Sequence, residues 1–291
     1  MRSPARLVLA LLALLCAGQA AHGQVVSVHR SFTTSDGVRL HYLEAGPPPA
    51  PTNVLIPGWT KPAWIFQPQI IAFARRWHVI AFDPRGQGES DVPLGGYEPV
   101  RRGQDIAELL ARLGNQRVVL LGWSLGVLDA LAYVHANGDA RVAGMVLVDN
   151  SVGEDPAPVP HRAPAPPRRR PSVPHEVNMR RFVESMFRRP QPEPYLEALT
   201  EATLHTPLYA SRALLSYPVP RTYWREAIYM VHAPILYVVR PVFEGQAESL
   251  ARKDPYAESV VLTGVGHALF VDDASRFNAL VQDFIARRIW H

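Results

Sequence analysis

Ser124 stands between two glycines in Gly122-Trp123-Ser124-Leu125-Gly126, and a serine hydroxyl becomes an effective nucleophile only when a base takes its proton. The flanking residues say where this serine sits. Val118, Val119, Leu120 and Leu121 form a short continuous apolar run, the mark of a strand buried on both faces. Apolar residues follow at 127, 128, 131 and 134, the spacing of one helix face, and Asn137-Gly138 supplies a stop. The pentapeptide therefore joins a strand to a helix, the context of a nucleophile elbow. Glycines on both sides let backbone pass close to the serine, where a Cβ would clash. At the helix N-terminus, free N–H groups and the dipole favour negative charge developing beside Ser124. A plain strand-to-helix turn with a surface serine would carry the same five residues.

The elements around this turn alternate. Val25 to Gly46 reads as two strands joined at Asp36-Gly37, an antiparallel hairpin. Asn53 to Gly58 is the next buried strand. Its exit, Pro57-Gly58-Trp59-Thr60, either aims a backbone N–H into a site or is an ordinary turn. A helix is expected over 66–76 and a strand over His78 to Asp83, running into the glycine-rich Pro84-Arg85-Gly86-Gln87-Gly88-Glu89-Ser90. The Lys-Ser/Thr ending of a phosphate-binding loop is missing there. Ile106, Leu109, Leu110 and Leu113 mark an amphipathic helix before the central strand, and Arg141 to Asn150 is a further apolar strand. Strands alternating with helices from 53 to 150 predict a parallel sheet wound with helices.

The character changes at Ser151. Eight prolines fall between 151 and 174, with Arg168-Arg169-Arg170 among them, so regular structure is not expected in that stretch. Short helical patterns return from Asn178 to Met230, rich in aromatic residues such as Phe182, Tyr195 and Trp224, and read as an inserted cap. The sheet resumes with strands at Pro234 to Val239 and Ser259 to Leu262, and a helix over Gly245 to Lys253 between them. Asp273 is placed to cap a last helix with Phe277, Leu280, Val281 and Phe284 on its apolar face.

Length and composition bound the rest. A chain of 291 residues, 47% hydrophobic and 19% charged, has the material for a large packed core and is neither disordered nor polytopic. Arg2 and Arg6 precede an apolar run from Leu7 to Ala17 that is short for a bilayer span. Residues 1–23 therefore read as a secretory signal peptide, with a secreted or periplasmic destination and no stable membrane span after cleavage; the alternative is a retained anchor. Cys16, the single cysteine, lies inside that segment, so the mature chain would carry neither disulfide nor thiol nucleophile. The formal charge of +4 falls to +2 without Arg2 and Arg6, which is no footprint for nucleic acid.

In this order and spacing, Gly122-Trp123-Ser124-Leu125-Gly126, the loop from Asp83 to Ser90, and Gly266-His267 after the last strand resemble the α/β-hydrolase superfamily over nearly all of the chain past residue 23. The resemblance implies a mostly parallel, eight-stranded α/β sheet with helices on both faces. Residues 24–150 and 231–291 would form the core, and 151–230 a Pro/Arg-rich linker and helical cap. It implies Ser124 as nucleophile, His267 as base, and an oxyanion hole made by the backbone N–H groups of Leu125 and Trp59. Relatives often carry histidine before the glycine of that turn, and Pro57 stands there instead. The usual aspartate after the strand before the last is missing from the loop Arg240 to Gly245. Two carboxylates could serve in its place, Asp149 at the end of a buried strand and Glu244 in the short loop. Asp149 is preferred, because a fixed strand holds geometry better than a loop.

The expected activity is that of an exported serine hydrolase cleaving an ester or lactone of a small, largely apolar substrate, with Trp59 and Trp123 lining the pocket. No metal and no organic cofactor is implied for that reaction. The same residues would serve a hydrolase of carbon–carbon or amide bonds, and a non-catalytic receptor could keep the fold and the pocket. Serine in place of aspartate argues against dehalogenase or epoxide hydrolase chemistry.

Overall fold

Gly37 takes a φ of 82° where the chain reverses between β1 (Val28–Thr33) and β2 (Arg39–Ala45), a conformation open to glycine at no steric cost. The two strands pair antiparallel, and β2 pairs antiparallel with β4 (His78–Asp83). The computed structural model describes residues 25–114, 116–157 and 173–290. The expected signal peptide, and all of the Pro/Arg-rich linker from 158 to 172, lie outside these residues.

The remaining strands are β3 (Thr52–Ile56), β5 (Val118–Trp123), β6 (Val142–Val148), β7 (Ile235–Val239) and β8 (Ala257–Val261). They extend the sheet in parallel, giving the order β1-β2-β4-β3-β5-β6-β7-β8. The eight-stranded, mostly parallel architecture is thus the expected one. Parallel neighbours need crossovers, and helices supply them on both faces. Along β5 the side chains alternate: Val118 and Leu120 enter one core, Val119, Leu121 and Trp123 the other. The first core is covered by α2 (Pro99–Arg112) and α3 (Leu125–Asn137), and the second by α1 (Gln67–Phe73).

Four helices stand between β6 and β7 where the cap was expected: α4 (His175–Ser185), α5 (Glu193–Leu204), α6 (Leu208–Leu214) and α7 (Arg221–Tyr229). Each follows a proline, which fixes φ for entry into a helix while its missing N–H costs nothing there. After β7 come α8 (Glu244–Lys253), the one-turn α9 (Leu269–Asp272) and α10 (Ala274–Arg288). Among the described residues no helix is long and apolar enough to cross a membrane.

Two local expectations change. The helix foreseen over 66–76 opens as a 3-10 turn at Ala63–Phe66 and closes at Phe73, where the N–H groups of Arg76 and Trp77 both turn back to the Phe73 carbonyl. Asp273 precedes α10, but its side chain makes no cap bond; its carboxylate accepts instead from Arg189 Nη2 at 3.0 Å.

The glycines of the central turn are steric requirements. A Cβ on Gly126 would lie 2.2 Å from the Ile56 carbonyl oxygen, and one on Gly122 2.4 Å from that of Gly126. Backbone on both sides of each contact belongs to the sheet and to α3, so neither can yield cheaply. Gly126→Ala should therefore destabilise the protein by about 3 kcal/mol or more, the upper range for an overpacked core. Urea unfolding checks this, and an unchanged midpoint would contradict it.

Candidate active site

Ser124 sits at the head of α3 with φ 53° and ψ −120°, a conformation that costs a non-glycine residue on the order of 1–3 kcal/mol. Hydrogen bonds hold it there. Its N–H donates to the Val148 carbonyl at 2.9 Å, and its own carbonyl accepts from Asn150 Nδ2 at 2.7 Å. Asn150 is fixed in turn by the Tyr237 hydroxyl, which donates to its carbonyl at 2.6 Å. The strained turn leaves the Ser124 side chain half-buried at the carboxyl end of β5, where open parallel sheets receive ligands.

The Ser124 hydroxyl oxygen lies 2.9 Å from His267 Nε2, and His267 Nδ1 lies 2.7 Å from Asp149 Oδ2. A carboxylate facing Nδ1 places the ring proton there, which leaves the Nε2 lone pair directed at the hydroxyl. Asp149 ends β6 with a φ of 52°, and its side chain is withdrawn from solvent. Its N–H donates to the Val238 carbonyl at 3.0 Å. Arg240, just past β7, supplies two more donors: its N–H reaches Oδ1 at 2.9 Å and its Nε reaches Oδ2 at 2.6 Å. Glu244, the alternative acid, is exposed at the start of α8 and makes no bond to His267. The loop that lacks the usual aspartate thus contributes an arginine, which clamps the carboxylate one strand away.

His267 is held from below by Trp123. The indole Nε1 donates to the His267 carbonyl at 2.9 Å, and the ring packs against the imidazole at 5.2 Å and Phe270 at 5.0 Å between centroids. Trp123 is 1% exposed. It supports the histidine loop rather than lining a pocket, because its position on β5 points it into the core beside α9. The same loop is tied to the cap. The N–H of Ala268 donates to the Met186 carbonyl at 3.0 Å, while Asp272 accepts from the N–H groups of Gly266 and Arg188 at 2.6 and 2.8 Å.

The turn after β3 passes against the serine, so closely that a Cβ on Gly58 would lie 2.9 Å from Ser124 Cβ. Neither the Trp59 nor the Leu125 N–H has a protein acceptor among the described residues, the condition for donors reserved for a ligand. Pro57 offers no side-chain support here, and Gln87 does. Its Oε1 accepts from the Thr60 N–H at 2.8 Å, and its Nε2 donates to the carbonyls of Gly58 and Lys61 at 3.1 and 3.2 Å. Gln87 lay in view within the glycine-rich loop, as an uncharged donor and acceptor flanked by glycines. Asn150, Arg240 and Asp272 carried no comparable signal.

The Trp59 side chain joins this turn to the cap, donating from Nε1 to the Ser211 carbonyl at 2.7 Å and meeting Phe182 edge-on at 5.1 Å. Lys61 does the same from beneath. Its ammonium nitrogen lies 2.9 Å from Thr203 Oγ1 on α5, 3.2 Å from Thr60 Oγ1, and 4.7 Å from the centre of the Phe182 ring on α4. It is fully buried without a carboxylate partner among the described residues, and burial lowers its pKa from 10.5 to about 7.

A family model described as "Alpha/beta hydrolase family" matches residues 54–280. The soluble epoxide hydrolase of a Corynebacterium species is 33% identical over 104 residues, 36% of this chain and 36% of that protein. The chain's matches span less than half the length of the first curated relatives. A candidate aryl esterase from Burkholderia cenocepacia superposes with a TM-score of 0.77 at 24% identity, covering 89% of this chain and 98% of that one. An N-acyl homoserine lactone degrading enzyme superposes with a TM-score of 0.66 at 23% identity, over 88% and 100%. At these identities the two solved structures show a shared fold.

Lys61 makes stability depend on pH in a calculable direction. Below about pH 7 it is charged in both states, and the folded state bears the cost of burying that charge. Between about pH 7 and 10.5 the unfolded chain still binds a proton that the folded protein has lost, so stability rises with pH. Lys61→Met should therefore raise Tm most near about pH 6, with the gain shrinking toward about pH 10. Thermal unfolding of both proteins across that range checks this; a gain independent of pH would contradict it.

Proposed function

The chain belongs to the alpha/beta hydrolase family, and we propose that within it the protein is a serine hydrolase acting on an ester or lactone of a small, largely apolar substrate. The observation that carries this reading is the unbroken run from the buried Asp149 carboxylate through His267 to the Ser124 hydroxyl, with steps of 2.7 and 2.9 Å. In such a run the serine oxygen attacks the substrate carbonyl carbon as its proton passes to His267 Nε2. The imidazolium so formed faces Asp149, which stabilises it without taking the proton. Positioned bases of this kind contribute about 10²–10⁴ in rate.

The carbonyl oxygen gains negative charge as the tetrahedral intermediate forms, and the N–H groups of Trp59 and Leu125, without a protein acceptor among the described residues, are the donors that would meet it. One such donor is worth about 10²–10³ in kcat. Collapse of the intermediate expels the alcohol, which takes the proton from His267 and leaves an acyl group on Ser124. Water then attacks the acyl carbon, gives a proton to His267, and the serine leaves with that proton as the acid is released. In a lactone the alcohol and the acid are the two ends of one product.

Trp59 and Phe182, meeting between the turn and the cap, favour an apolar acyl or alcohol group. The likeness to a candidate aryl esterase and to a lactone-degrading enzyme is in keeping with that choice. The epoxide hydrolase among the relatives does not redirect it: ring opening followed by ester hydrolysis suits a nucleophilic carboxylate, and this chain presents a serine.

Ser124→Ala should fold as the wild type does and lose hydrolysis of p-nitrophenyl esters and lactones by at least about 10³-fold. A fluorophosphonate should label Ser124 in the wild type alone. Hydrolysis retained by the variant, or a wild type that is neither labelled nor active on any ester, lactone or amide of the panel, would overturn the assignment. Activity confined to amides would move the bond cleaved while leaving the nucleophile in place.

A further inference from the structure

At the opposite side of the sheet from α8, the β1–β2 hairpin and the glycine-rich loop bring together three groups that the hydrolytic reading does not use. The register pairs Ser31 with His41 and Val28 to Thr33 with the rest of β2 in turn, so His29 and His41 form a diagonal pair on one face. His29 Nδ1 lies 3.0 Å from His41 Nε2. Glu89 faces both rings, with Oε1 3.3 Å from His29 Nδ1 and Oε2 3.6 Å from His41 Nε2, so that one ligand atom from each of the three residues lies within 4.8 Å of the others.

We propose that His29 Nδ1, His41 Nε2 and the Glu89 carboxylate bind one divalent d-block cation of the zinc class. The first argument is dimensional. Zinc holds nitrogen and oxygen ligands at about 2.0–2.1 Å in a tetrahedron, so the edge between two ligand atoms is about 3.3 Å. The two imidazole nitrogens at 3.0 Å and His29 Nδ1 with Glu89 Oε1 at 3.3 Å stand close to that length, and the other carboxylate oxygen is 3.6 Å from His41 Nε2.

The second argument is the donor count. His41 is buried, and its Nδ1 lies 2.7 Å from Asp83 Oδ2. That carboxylate fixes the proton on Nδ1 and turns the Nε2 lone pair toward the other two groups, as the outer carboxylates of zinc-bound histidines do. A hydrogen bond from His29 can satisfy Nε2, yet Glu89 then faces it as one acceptor facing another. A cation between them removes that conflict. With both imidazoles neutral, two positive charges would meet one negative charge from Glu89 and one from Asp83.

The site is open on its outer side, since the His29 and Glu89 side chains are mostly exposed, so an ion has an entry path and water can take the fourth position. Asp83 also accepts from the N–H groups of Ala63 and Glu89. The bound ion would therefore fasten the edge strand β1 to the loop that carries Gln87. It would act as a structural clasp and not as a reactant, because β1 and β5 are four strand spacings apart, about 19 Å across the sheet.

The test uses the full chain without added histidines, stripped with a chelator and titrated with Zn2+ by calorimetry and with Co2+ by visible absorption. One equivalent of each ion should bind, Co2+ with the intense bands of a tetrahedral centre, and saturating Zn2+ should raise Tm by about 5 °C. His29→Ala and Glu89→Gln, both at exposed positions, should each weaken Zn2+ binding at least about tenfold while hydrolysis by the ion-free protein is unchanged. His135→Ala should bind as the wild type does. The proposal is overturned if the wild type takes up no Zn2+, or if its binding survives in the His29→Ala and Glu89→Gln variants; the three groups are then a hydrogen-bonded cluster only.

Discussion

A carboxylate withdrawn from water must be met by donors, and the arrangement around Asp149 follows from how this one is met. Two donors come from Arg240 and one from His267. The parallel register of β6 and β7 sets Val148 opposite Val238, so the residues just past each strand are brought side by side at the carboxyl edge of the sheet. Removing one partner of such a pair leaves a buried charge uncompensated, at a cost of about 3–5 kcal/mol. The acid is thus held by the sheet itself. The histidine is held by the acid on one side and by Trp123 beneath, and the serine is held by its strained turn.

The parts that were legible in the sequence are those set by neighbours in the chain. The central turn announced itself because strand, glycines, serine and helix face occupy one continuous stretch, and the structure places each where its spacing required. Both hairpin strands and the later strands were readable for the same reason. The helices inserted between β6 and β7 were readable as a change of composition and a return of short helical patterns. The preference for Asp149 over Glu244 rested on strand against loop; in the structure Asp149 faces His267 and Glu244 makes no bond to it. The arginine reaching back from the next strand could not be read, because nothing local marks Arg240 as facing Asp149. Trp123 and Asp273 misled in the same way. A tryptophan beside a nucleophile suggests a pocket wall and an aspartate before a helix suggests a cap, but strand parity sent one into the core and Arg189 drew the other away.

The turn beside Ser124 is held by the helices between β6 and β7 as much as by the sheet. Trp59 and Lys61 leave the same short turn, one bonded to α6 and the other to α5, and both touch Phe182 of α4. Gln87 braces that turn from behind. Asp83, at the root of the loop carrying Gln87, is shared with His41 on the outer hairpin. Ser90 links Asp83 and Gln87, donating from its hydroxyl to the Asp83 carbonyl and from its N–H to the Gln87 carbonyl. Hydrogen bonds thus run from the edge of the sheet to the turn beside Ser124, although the sheet order keeps the two ends well apart. Sites held by such supporting contacts keep their geometry when the substrate arrives, which is the condition for charge stabilisation without reorganisation.

The central claim is that Asp149 orients and stabilises His267 while Glu244 takes no part. It is tested most directly by kcat for Asp149→Asn and Glu244→Gln on one ester substrate, in preparations of matched stability. The account predicts a loss of at least about a hundredfold for Asp149→Asn, since an amide there would favour the wrong tautomer, and less than about tenfold for the exposed Glu244→Gln. An inactive Glu244→Gln beside a nearly normal Asp149→Asn would contradict it.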